Sequence, residues 1–132
     1  MNLKGQIIQA MREYFGNDQK RINHALKVLK YSEELFMERK SGDEDVVVAA
    51  AILHDIGIHE AEKKYNSNAG KYQEIEGPPI AKEILENIRE FPKEKISEVL
   101  DIIAHHHHPR KDETENFKIL YDADCRVNRE EG

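Results

Sequence analysis

The stretch Asp45–Gly57, DVVVAAAILHDIG, decides how the chain folds. Its three valines would suit a strand, but the alanines behind them and the length of the run predict a buried helix over Asp45 to Ile56. Asp43, which follows the Ser41-Gly42 turn, is placed to cap that helix, and Gly57 to stop it. The run from Val46 to Leu53 is apolar throughout, and at its end stand His54 and Asp55, adjacent and ionisable. Such a doublet on a buried helix must be neutralised, hydrogen-bonded or coordinated to a metal, because an uncompensated charge away from water is strongly unfavourable. Two readings meet that requirement. In the structural one, His54 caps the helix and Asp55 pairs with a Lys or Arg; in the functional one, the doublet belongs to a site.

Outward from this stretch, apolar residues recur at helical spacing. Ile7, Ile8, Met11 and Phe15 mark a first helix, and Ile22, Ala25, Leu26, Leu29, Leu35 and Phe36 a second. The polar segment from Asn66 to Gly77 is expected to be a flexible loop. Pro78 and Pro79 suit the start of a helix with Ile80, Ile84, Leu85 and Ile88 inward. Pro92 opens another, with Ile96, Val99, Leu100 and Ile103 inward, ending at Pro109, and a last helix begins near Phe117. The expected fold is all-α: one domain over residues 1–132, a bundle of about six or seven helices.

With 132 residues the chain can bury one sizeable core. A net charge of −6, from 20 basic and 26 acidic residues, argues against binding polymeric nucleic acid or an anionic membrane, while leaving room for a small basic pocket. The single Cys125 excludes an internal disulfide framework and a multi-cysteine zinc site, and suits a reducing compartment. The opening MNLKGQIIQAMREYF is amphipathic and lacks the apolar core of a signal peptide, and no run is long enough to span a bilayer. A cytoplasmic protein is expected.

The other histidines and two late aspartates complete the pattern. His24 lies on the second helix, His105 to His108 follow the apolar segment Val99 to Ala104, and Asp122 and Asp124 sit in ILYDADCRVN. A lone His, then His-Asp, then a late Asp, in that order from about Lys20 to Asn128, resembles the HD superfamily of metal-dependent phosphohydrolases. The resemblance implies a metal centre of His24, His54, Asp55 and Asp124, the last being the Asp of an Ala-Asp pair. Asp122, about 200° away round the helix, faces elsewhere. Two neutral imidazoles and two carboxylates suit a divalent transition metal, Mn, Fe, Co, Ni or Zn, better than Mg, which prefers oxygen ligands. Four protein ligands leave positions for water and substrate, and a metal-activated water would hydrolyse a phosphate mono- or diester, with nucleotides among the substrates the resemblance brings in.

Further roles follow from the same likeness. Arg21, three residues before His24 and on its face, forms the Arg-x-x-His pair of nucleotide-directed members and suits a substrate phosphate. At most two of His105 to His108 can address one point, since successive helical residues are about 100° apart; His105 and His106 are assigned to substrate. Binuclear members carry His-x-x-x-Gly where this chain has Gln73 before Gly77, which favours a single metal. His59 is a candidate general acid beside the catalytic Asp55, and Lys71 a candidate anion contact. Lys or Arg elsewhere, such as Arg110, Lys111 and Arg126, reads as solvated surface, and Cys125 as packing. Little chain follows Asp124 to wall the site, so closure by a second copy in a homo-oligomer is a further expectation. Two other functions compete: a catalytically inactive helical module that binds metal or nucleotide, and a histidine-rich metal store.

Overall fold

The computed structural model describes Met1–Gly132. Seven α-helices follow one another, with no strand: α1 (Leu3–Phe15), α2 (Gln19–Arg39), α3 (Glu44–Leu53), α4 (Ile58–Tyr65), α5 (Gly70–Glu86), α6 (Ile96–His105) and α7 (Glu115–Glu131), with a 3-10 turn at Lys93–Lys95 leading into α6. Side chains at four N-termini take up backbone amides that the helix itself leaves unpaired. Asn2 accepts from Gly5 in α1, Asp18 from Arg21 in α2, Asp43 from Val46 in α3 and Thr114 from Phe117 in α7.

The expected central helix is α3. Every residue from Val46 to Leu53 is buried, and α1, α2, α6 and α7 pack around it. A helix apolar on all faces can be satisfied only in that position, and Ala49, Ala50 and Ala51 keep its neighbours close. Asp43 and Asp45 at its outer end share Lys95 at 3.0 Å each. The opposite end, carrying His54 and Asp55, faces inward to the site. No helix is long and apolar enough to cross a membrane.

α6 ends at His105 instead of Pro109, and two boundaries nearer the site also differ from the sequence expectation. The helix α3 ends at Leu53 rather than Ile56, and the turn His54 to Gly57 leads directly into α4. Gly57 is not a left-handed stop, since its φ is −83°. It is required by proximity: a Cβ there would stand 2.5 Å from the Gly77 nitrogen and 2.8 Å from the Gln73 carbonyl oxygen, so two backbones cross at this point. The second difference is α5, which begins at Gly70 and runs through Pro78 and Pro79 instead of starting at them. Proline at 78 and 79 leaves the Glu74 and Ile75 carbonyls without their usual donors, yet tertiary contacts hold the first two turns helical. Glu74 accepts from the His107 amide and the His108 ring, while Glu76 receives Lys64 and the Tyr65 hydroxyl. These polar anchors are invisible to hydrophobic periodicity, which is why the segment read as a loop.

Candidate metal centre

Four elements meet at the inner end of α3. α2 contributes His24, the end of α3 His54, the turn after it Asp55, and α7 Asp124. His24 Nε2 lies 3.3 Å from His54 Nε2, 3.1 Å from Asp124 Oδ1 and 3.4 Å from Asp55 Oδ2. His54 Nε2 is 3.3 Å from each carboxylate. Donors held at roughly 2.0–2.2 Å around one ion stand about 2.8–3.6 Å apart in tetrahedral or octahedral arrangements, so the spacing here is that of a ligand set.

The hydrogen bonds behind the rings give the same result. His54 Nδ1 is 2.8 Å from the Ala51 carbonyl, which can only accept, so Nδ1 carries the proton and Nε2 presents a lone pair. His24 Nδ1 donates in the same way to Glu131 Oε1 at 2.9 Å. Two imidazole lone pairs then face each other between two carboxylates, an arrangement that calls for a cation at its centre, either a proton or a metal. Burial alone would drive His54 towards neutrality, but the Asp55 and Asp124 carboxylates outweigh it and hold its pKa well above the usual imidazole value. Burial likewise opposes charge on both aspartates. The facing imidazoles, His54 above all, hold Asp55 well below the usual carboxylate range and lower Asp124 as well. The carboxylates thus favour a bound proton on the imidazoles, the place a divalent metal would take. His24, His54, Asp55 and Asp124 fit such an ion.

Asp55 also faces a second group. Its Oδ1 is 3.3 Å from His106 Nε2, while His106 Nδ1 donates to the Ile103 carbonyl at 2.8 Å. Asp55, His106 and His107 together offer three donors within 4.8 Å of one another, so Asp55 presents one oxygen to each set. Beside the centre a pocket of about 230 Å³ opens, with Lys20 and Arg21 from α2 on one wall. Arg21 is also steered by Asp18, 4.0 Å from its Nε. Three larger grooves elsewhere, one by Asn2 and Glu33, one between Ala10 and Ile84 and one by Glu62 and Asn66, contain no imidazole.

The structure brings Arg21, His24, His54, Asp55, His106 and Asp124 together and sets three other predicted residues apart. His59 is bonded to Asp18 at 2.7 Å and lies edge-on to Phe15. His105 stacks on Phe117 at 4.5 Å and is held by the Asp101 carbonyl and the Glu113 carboxylate, which makes it part of the packing. Lys71 is exposed, with its ammonium 5.0 Å from the Tyr72 ring. Asp122 points away, as its angular position required, and pairs with Arg39 at 2.6 Å. Sequence reasoning missed His107 and Glu131. Glu131 follows Asp124 by seven residues, about two helical turns, and its place on the same face was readable. His107 lies in the turn after α6, where helical spacing gives no orientation.

A helical bundle that gathers imidazoles and carboxylates from three helices and a turn carries a histidine-aspartate group suited to hold a metal ion. The HD-domain profile matches residues 21–128, and the chain belongs to the HD superfamily of metal-dependent phosphohydrolases. No curated protein and no solved structure gives a match.

Proposed function

We propose that this protein hydrolyses a phosphate mono- or diester at a transition-metal centre formed by His24, His54, Asp55 and Asp124. The observation that carries the reading is the donor set His24, His54 and Asp55, all within 4.8 Å of one another, with Asp124 3.1 and 3.3 Å from the two imidazoles, beside a pocket lined by Lys20 and Arg21. A divalent ion bound there would act as a Lewis acid on a phosphoryl oxygen and lower the pKa of a coordinated water.

The chain's own residues prepare the site. The Arg21 guanidinium matches two phosphate oxygens at once, and Lys20 adds a second positive charge at the same wall. Ala51 and Glu131 fix which nitrogen His54 and His24 present, so both rings offer Nε2 without a change of tautomer. His106, itself oriented by Ile103, stands with Nε2 3.3 Å from the outer oxygen of Asp55. His59 is committed to Asp18, which favours acid-base work by groups nearer Asp55, such as His106 and His107.

The test is a phosphate-ester panel assayed with Mn, Fe, Co, Ni, Zn and Mg in turn. Turnover with at least one transition metal, abolished by a chelator and restored by the metal, is expected. Stoichiometric metal with no turnover anywhere on the panel would favour the binding-module alternative.

A further inference from the structure

The pocket beside the four donors is built unlike a nucleobase site. Pockets for drug-sized ligands are typically about 300–1,000 Å³ and lined mainly by apolar and aromatic groups. This one is about 230 Å³, and Ile58 is the sole hydrophobic residue around it. His107 is the ring on the wall outside the metal set, and it is already packed on His106 at 4.0 Å and against the backbone at Gly70. A purine or pyrimidine would find no free flat face on which to stack.

What the walls offer is hydrogen bonding. Asn68, Gln73 and Asn128 line the pocket together with Lys20 and Arg21. Gln73 is the informative one. Its Nε2 donates to the Asn68 carbonyl, which orients the amide and leaves Oε1 as an acceptor. That oxygen is buried, in a residue only 7% exposed, and has no partner. A buried carbonyl oxygen that no protein group donates to is unfavourable and uncommon. Gln73 also lines the pocket, where a ligand hydroxyl would supply the missing donor.

We propose that the substrate is a small hydroxylated phosphate ester, a sugar or polyol phosphate, with its phosphoryl group towards Lys20 and Arg21 and a hydroxyl donated to Gln73 Oε1. The proposal rests on the phosphohydrolase reading above. The reaction is hydrolysis. The oxygen of one water bonds to phosphorus, the ester P–O bond breaks, and one proton of the water ends on the departing oxygen, giving the free polyol and inorganic phosphate.

The test compares kcat/KM of the metal-loaded full chain for glycerol 3-phosphate, ribose 5-phosphate, propyl phosphate, AMP and p-nitrophenyl phosphate. Glycerol 3-phosphate and propyl phosphate differ only in hydroxyls, and a preference of at least tenfold for the former is expected, because a site built around a hydroxyl rejects the analogue lacking it. Ribose 5-phosphate is expected to exceed AMP by a similar factor. Gln73→Met, close in volume, and Gln73→Leu should each bring the glycerol-to-propyl ratio towards one; a ratio unchanged in a folded variant would overturn the role of Gln73. Equal rates for the glycerol and propyl esters, or AMP as the better substrate, would overturn the proposal while leaving the phosphohydrolase reading standing. Failure of every ester, p-nitrophenyl phosphate included, would overturn both.

Discussion

Glu131 Oε1 stands 2.9 Å from Nδ1 of His24, on the side of the ring away from the other donors. The carboxylate fixes the His24 tautomer and makes Nε2 a stronger ligand, and Lys27, 3.7 Å from the other oxygen, holds it in place. Glu131→Ala should weaken metal affinity by about ten- to a hundredfold with the helical content unchanged. Glu131→Gln, which keeps an acceptor, should fall between. Chelator competition against both variants measures this, and wild-type affinity in Glu131→Ala would contradict the assignment.

Arg21 and Asp55 should fail in different ways. Arg21→Ala keeps all four donors and should retain metal, while losing about ten- to a hundredfold in kcat/KM, the effect of removing one charge-assisted hydrogen bond. Asp55→Ala should lose metal and turnover together. Steady-state kinetics paired with metal analysis separates them, and loss of metal in Arg21→Ala would place that residue in the centre instead.

Metal stabilisation should grow with pH. The His54 pKa is raised in the folded chain without metal, although burial opposes it, because Asp55 and Asp124 face the ring. The stability this contributes is complete below the ordinary imidazole value and is lost as pH rises through the raised one. A metal needs neutral His54, so it must displace that proton, and below the raised value its affinity gains about tenfold per pH unit for each proton displaced. The increase in Tm on adding a fixed metal concentration should therefore be larger at pH 7.5 than at pH 5.5. An increment that falls across this range would contradict the proton-for-metal exchange.

Gly57→Ala tests the crossing of α4 and α5. The added Cβ would meet backbone at Gly77 and Gln73, which cannot swing aside as a side chain can. A loss of about 1–3 kcal/mol is expected in denaturant unfolding. Stability equal to wild type would mean that the two backbones separate easily.

The central helix was legible because it depends on strong local rules, and the candidate set His24, His54, Asp55 and Asp124 because its order resembles that of the HD superfamily. A run of apolar residues ending in His-Asp has one sensible place in a bundle, and the two-residue spacing of Asp122 and Asp124 separates them by angle. The start of α5 was hidden, since its first turns are held by Glu74 and Glu76 reaching to distant segments rather than by an apolar stripe. His59 and His105 looked like functional imidazoles in the sequence. Their partners Asp18, Glu113 and Phe117 are supplied by the fold or by loop geometry, which spacing does not encode. His107 reaches the pocket through a turn whose direction depends on Glu74.

The most direct measurement is elemental analysis of purified wild type beside His54→Ala, each matched for protein concentration and folded by circular dichroism. Wild type should carry about one transition metal per chain that survives dialysis, because four donors of mixed type define one complete site, and His54→Ala should carry essentially none. Full occupancy in His54→Ala, or a folded wild type that binds no transition metal when it is supplied, would contradict the metal centre on which the account rests.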